Sequence, residues 1–161
     1  MIKHYLFDWG DTLMVDLPNQ TGPMCDWPKV QAVDGAEACL QRLSQHAQCH
    51  LATNAENSSE KQIRVALIRA GLSDYITHVF CRENVGMGKT GPRYYQTITD
   101  KLNVSPQHVT MVGDSLERDV HQALKAGMKA VWFNPNPNHS HTSSDILTVH
   151  RLDMLASLAL D

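Results

Sequence analysis

A handful of polar side chains in this sequence have the chemistry of phosphoryl transfer. Asp8 sits in FDWGDTL, Thr53 and Asn54 in LATN, Lys89 in GMGKTGPRYY, and Asp114 and Asp119 in VTMVGDSLERD. Singly, each has an ordinary reading. A carboxylate after a strand is often a helix N-cap, and Asp114 has Glu117 at capping spacing. A Thr after a strand is often a turn residue, and a Lys before a helix is usually solvated. Together they supply a nucleophilic carboxylate, two further acids, a hydroxyl and an ammonium. Transfer of a phosphoryl group to a carboxylate sets an anion against an anion, so the repulsion must be cancelled. Mg²⁺ does this with one or two carboxylates, waters and a phosphate oxygen around it. A Lys and hydroxyl or amide donors hold the remaining phosphate oxygens. A covalent carboxyl phosphate then divides the reaction into two easier steps.

Such a set works only where the chain gathers it. Short apolar runs alternate with segments of helical period, which predicts a doubly wound α/β domain with a parallel sheet. Strands are expected at about Lys3 to Phe7, Gln48 to Ala52, His78 to Cys81 (short and weak), His108 to Val112, Lys129 to Phe133 and Ile146 to Val149. A first helix is expected from near Asp34, where Asp34 and Glu37 have capping-box spacing, with Ala36, Cys39, Leu40, Leu43 and Ala47 inward. A second starts near Ser59 with Gln62 three residues on, buries Ile63, Ala66, Leu67 and Ala70, and stops at Gly71. Pro92 suits the first turn of a third helix that turns Tyr95, Ile98 and Leu102 inward. The next carries Leu116, Val120, Ala123 and Leu124 to Gly127, and the last carries Leu152, Leu155, Ala156 and Ala159. In such sheets the active site lies at the carboxyl ends of the strands, near the switch in strand order. Asp8, Thr53 and Asp114 all follow expected strands.

At this point the sequence resembles the haloacid dehalogenase (HAD) superfamily. FDWGDTL is similar to its first motif, an apolar strand followed by DxDGT. Thr53 matches the second motif, Lys89 the third, and GDSLERD the acidic fourth with its GDxxxxD spacing. The resemblance covers nearly the whole chain. It implies a three-layer, Rossmann-like core with Asp8 as nucleophile and Mg²⁺ as cofactor. It implies Asp8 and Asp114 as metal ligands, Asp119 as a nearby second acid of the metal site, and the Gly10 backbone carbonyl as a further ligand. Thr53, Asn54 and Lys89 would contact phosphate. One departure stands out. Where the family's phosphatases carry a general-acid Asp, this chain has Gly10, and the acid comes one residue later as Asp11. Either the permissive Gly10 lets Asp11 swing inward as the catalytic acid, or Asp11 caps the turn and faces solvent.

Residues 14–33 lie where one type of family cap is inserted, but here form a short loop rich in Pro and Asn. The other insertion point, between Thr53 and Lys89, holds only a helix and a short strand. The expectation is a capless single domain over 1–161, its site open or covered by a neighbouring subunit in a homo-oligomer. Trp9 and Trp27 are candidates for a leaving-group wall or for core positions. A length of 161 residues suits one core, and a net charge of -3 offers no nucleic-acid surface. The apolar runs are too short to span a bilayer, and MIKHYLFDWG has no signal-peptide pattern, so a cytoplasmic location is expected. Cys25, Cys39, Cys49 and Cys81 form no CxxC pair and are read as reduced thiols. His139 and His141 fall in a polar loop, Asn134 to Asp145. The leading functional expectation is a phosphomonoester phosphatase acting on a small phosphorylated substrate. A catalytically weak protein that binds a phosphorylated ligand or a protein partner is the alternative, favoured by Gly10. A phospho-accepting receiver domain fits poorly, because its phosphorylated Asp would follow the third strand.

Overall fold

The computed structural model describes residues 1–136, 138 and 146–158. Strands β1 (Lys3–Phe7), β2 (Ala47–Ala52), β3 (Ile76–Phe80), β4 (Val109–Gly113), β5 (Lys129–Phe133) and β6 (Leu147–Val149) form one parallel sheet in the order β3-β2-β1-β4-β5-β6. Buried on both faces, these strands read as nearly continuous apolar runs. Alternate residues serve opposite layers: Tyr5 and Phe7 face one core, and Leu6 faces the other. The first layer holds α1 (Ala36–Leu43), α2 (Glu60–Arg69) and α6 (Leu152–Leu158). The second holds α4 (Pro92–Leu102) and α5 (Gln122–Lys125), with the four-residue α3 (Arg82–Val85) at one end of α4. Strand order reverses between β1 and β4, so the residues that follow those two strands flank a crevice.

Local chemistry accounts for the helix ends. Ser59 caps α2 in a reciprocal capping box with Gln62, and Pro92 begins α4. Asp34 does not cap α1. Gly35, at φ 83°, occupies the N-cap without a side-chain hydrogen bond, and the helix begins at Ala36. Ala47 is the first residue of β2 rather than the last inward residue of α1. β3 begins two residues earlier than its β-propensity suggests, and Cys81 becomes the N-cap of α3. Leu124 is exposed rather than inward. The helix after β4 opens as a π turn over Leu116–His121 before α5. Three cysteines are buried, Cys25 is half-buried, and none is bonded to another. Burial pushes the Cys39 and Cys49 thiols up to about 12, with neighbouring charges adding for Cys39, so both act as inert core residues. The segment between β1 and α1 holds a single 3-10 turn, Met24–Asp26, and that between β2 and β3 only α2 and the 3-10 turn Ser73–Tyr75. The expectations for His139, His141 and Ala159 lie outside the described residues.

Candidate active site

The carboxyl ends of β1, β2 and β4 deliver Asp8, Thr53 and Asp114 to one cavity of about 540 Å³. Lys89, ahead of α4, reaches in beneath them, and its Nζ donates to Asp8 Oδ1 at 2.7 Å and to Asp119 Oδ1 at 2.9 Å. The ammonium is almost wholly enclosed, and so is Asp119. Burial opposes charge on Lys89, but Asp8 and Asp119 outweigh it and hold the amine well above its ordinary range. Burial likewise pushes the Asp8 carboxyl up. The Lys89 charge and hydrogen bonds from Asp114 and Lys89 overcome that, and Asp8 stays below the usual carboxylate value. The balance favours the anionic form of Asp8.

Asp119 Oδ2 accepts the Ser115 N–H at 3.1 Å, so both oxygens of this acid are engaged. Burial raises it more than Lys89 lowers it. The π turn brings it there. Ser115 accepts from both the Asp119 and Val120 amides, and the wider turn tucks the Asp119 side chain under Gly113. A Cβ at Gly113 would stand 2.2 Å from Asp119 Oδ2, so only glycine allows that approach.

Asp114 is partly exposed. Burial, contact with Asp8, and the charges of Asp8 and Asp119 push it up to about 7. Asp8, Asp114 and Asp119 each bring one oxygen within 4.8 Å of the others. Thr12, which the sequence reading passed over, donates across the gap to Asp8 Oδ2 at 3.2 Å and Asp114 Oδ1 at 3.3 Å. Carboxylates so close create a demand for positive charge that Lys89 meets on one side only. The Gly10 carbonyl accepts no hydrogen bond from the described residues, whereas that of Trp9 accepts three backbone amides. This donor set, hard oxygens with one open carbonyl, fits Mg²⁺.

Thr53 is buried, and its Oγ1 accepts the Ala55 N–H, which leaves its own hydroxyl proton to give. Asn54 Oδ1 accepts from the Lys89 N–H at 2.9 Å and from Arg82 Nη2 at 3.2 Å, which fixes the side-chain amide and leaves its NH₂ free to donate. Gly88 makes this fit possible: a Cβ there would lie 2.7 Å from Asn54 Oδ1. Asp11 takes the solvent-facing arrangement. It is exposed, adopts φ 59°, and its Oδ1 accepts the Asp16 N–H at 3.0 Å. Its carboxylate caps the turn at the cavity rim instead of entering beside Asp8, which corrects the inward alternative. Trp9 and Trp27 are both buried in the core, and each lines the cavity. No helix among the described residues is long and apolar enough to cross a membrane.

Comparison with known proteins gives a consistent picture. Residues 20–133 match the haloacid dehalogenase-like hydrolase family, a stretch that includes Thr53, Lys89, Asp114 and Asp119 and begins after Asp8. The chain is 34% identical over 85 residues to phosphoserine phosphatase of Thermus thermophilus, covering 52% of this chain and 34% of that protein. It is 36% identical over 67 residues to glyceraldehyde 3-phosphate phosphatase of Pyrococcus furiosus, covering 42% and 28%. The match thus spans about a third of the length of these relatives. In fold, the chain resembles the crystal structure of Bacillus subtilis YfnB bound to magnesium, with a TM-score of 0.78 at 17% identity over 99% of both chains.

Proposed function

The chain belongs to the haloacid dehalogenase-like hydrolases, and from that membership and the geometry of its site we propose a magnesium-dependent phosphohydrolase acting through an aspartyl phosphate on Asp8. One observation carries the reading: a buried Lys89 ammonium shared by Asp8 and Asp119, with Asp114 across a common hydroxyl from Asp8. Asp8, Asp114 and the Gly10 carbonyl would hold the metal, with Asp119 as the second acid that anchors Lys89. Bound Mg²⁺ supplies the positive charge that lets a carboxylate approach a phosphate.

The chain's own groups do the rest. Lys89, the Thr53 hydroxyl and the Asn54 amide donate to the phosphate oxygens and fix the phosphorus before Asp8. An Asp8 oxygen bonds to phosphorus while the ester oxygen–phosphorus bond breaks, and the electron pair leaves with the ester oxygen. Water then opens the acyl phosphate, returning Asp8 and inorganic phosphate. The two named relatives are phosphatases of small phosphorylated molecules, and the same reaction class is the reading for this chain.

Asp8→Asn tests it. The amide conserves shape but is no anionic nucleophile, so turnover of acetyl phosphate and nitrophenyl phosphate with Mg²⁺ should vanish while circular dichroism is unchanged. Wild type quenched in acid should carry a phosphoryl group on Asp8 by mass spectrometry. Retained activity in the variant would overturn the covalent mechanism. A second reading, a protein that binds a phosphate ester and turns it over poorly, is favoured by the absence of a side chain at Gly10 and the outward Asp11. Tight binding of esters without hydrolysis by wild type would select it.

A further inference from the structure

Beyond the phosphate-handling groups, the cavity has a wall of different character. Trp9, Met24 and Trp27, each under a tenth exposed, line it from the segment after β1. This wall is held firmly. Trp27 Nε1 donates to the Gly22 carbonyl at 3.1 Å. From α2, Arg69 reaches across to donate to three carbonyls of the same turn, those of Cys25 at 2.9 Å, Trp27 at 2.7 Å and Pro28 at 3.3 Å. The base of the segment is closed by Val15 N–H to the Gln31 carbonyl and Val33 N–H to the Leu13 carbonyl, both at 2.8 Å. Fixed aromatic side chains cost little to order on binding and favour a flat apolar partner. The volume, about 540 Å³, leaves space beyond a phosphate for a ring.

The proton inventory points the same way. Gly10 has no side chain, Asp11 is turned to the Asp16 amide, and Asp8, Asp114 and Asp119 are occupied with Lys89, Thr12, Ser115 and one another. The position two residues after Asp8 thus offers no carboxyl to a departing oxygen, and the other acids lining the cavity, Asp16 and Glu56, make no hydrogen bond to Asp8 or Lys89 among the described residues. An alkoxide leaves badly without a proton, whereas a phenol, with a pKa of about 10, leaves as the anion.

We propose that the site is built for aryl phosphate monoesters, with the ring against Trp9, Met24 and Trp27 and the phosphate over Asp8. The inference rests on the phosphohydrolase reading above. In the step it describes, the Asp8 oxygen–phosphorus bond forms, the aryl oxygen–phosphorus bond breaks, and the pair leaves as phenolate, which takes its proton from bulk water.

Phenyl, benzyl and butyl phosphate, assayed with Mg²⁺, separate the two contributions. Phenyl and benzyl phosphate should share a KM about tenfold below that of butyl phosphate. Phenyl phosphate should far exceed the other two in kcat. Trp27→Leu, or Arg69→Ala if the first folds poorly, should raise KM for the two ring substrates several-fold more than for butyl phosphate. Equal kcat/KM for phenyl and butyl phosphate would overturn the proposal while leaving the phosphohydrolase reading intact. Failure to hydrolyse any ester, acetyl phosphate included, would instead remove that reading. Calorimetric binding to Asp8→Asn with Mg²⁺ then decides the wall separately: phenyl phosphate about tenfold tighter than butyl phosphate supports it, and equal affinity sinks it.

Discussion

At Gly10 the backbone is not in the left-handed region, and a Cβ there would meet only Asp16 Cβ at 3.9 Å. A side chain is therefore accommodated, and Gly10→Asp should fold. Placed two residues after Asp8, the new carboxyl can offer a proton to the leaving oxygen, an effect of about 10²- to 10⁴-fold where protonation limits the rate. The expected outcome is a large gain on butyl phosphate and little change on phenyl phosphate, read from steady-state rates with circular dichroism as folding control. An equal gain on both would show that the carboxyl acts otherwise than as an acid. Residue by residue, Asp8, Thr53, Asn54, Lys89 and Asp114 could be picked out from sequence because each stands at a strand end or before a helix, and Asp119 by its GDxxxxD spacing from Asp114. Thr12 was harder to see. Its signal is only its place four residues after Asp8, and its role depends on a carboxylate 102 residues away. Arg69 gave no signal at all, since an arginine in the last turn of a helix is an ordinary solvated residue until three carbonyls are folded against it.

The elements were legible where burial dictates composition. β1, β2, β4 and β5 follow apolar runs to within about a residue, and Ser59 with Gln62 marked the start of α2. They were illegible where tertiary contacts override local preference. Asp34 had the right spacing for a cap, yet the chain turns at Gly35 instead. The π turn after β4 has no sequence period of its own. It arises because Asp119 is drawn beneath Gly113 to meet Lys89 and the Ser115 amide. That dependence can be tested at the strand end. Gly113→Ala puts a methyl group into the Asp119 carboxylate, so the turn must shift. Stability should fall by about 1–3 kcal/mol, as overpacking generally costs, and turnover should fall with it as Lys89 loses a partner. Urea melts and rates on nitrophenyl phosphate measure both. A variant with wild-type activity would show that Asp119 need not sit where it does.

Across the whole sheet, His4, His50 and His78 stand side by side on β1, β2 and β3, on the face of the second helical layer and away from the catalytic edge. Neighbouring rings stack with centroids 5.3 Å and 5.2 Å apart, and His4 Nδ1 and His50 Nε2 share a hydrogen bond of 3.1 Å. His50 is fully buried, and its Nδ1 has no partner among the described residues. Burial, then the charges of His4 and His78, push it down to about 3; burial, His78 and His108 lower His4 as well. In the unfolded chain these histidines take up protons near 6.5, so the unfolded state binds more protons below that pH. Stability should therefore be full above about pH 6.5 and decline as pH falls from there toward 3. Urea midpoints at pH 7.5 and 5 should differ accordingly, and His50→Leu should narrow the difference. An unchanged difference would place the acid sensitivity in the carboxylates instead.

The Trp-bearing segment after β1 also has a history written into its attachment. Its two ends, one following β1 and the other leading into α1, lie side by side, tied by Val15 to Gln31 and by Leu13 to Val33. Between such adjacent ends, doubling the length of the chain costs only about 0.6 kcal/mol of closure entropy. Added length at this position therefore costs folding little, provided Met24 and Trp27 keep their places in the core, while each change rewrites the surface a leaving group meets. The scaffold thus separates what must be kept from what can be exchanged: Asp8 and Asp114 are locked at strand ends, Lys89 ahead of α4 and Asp119 in the π turn, while the proposed selectivity hangs on a segment that can be lengthened between its anchored residues.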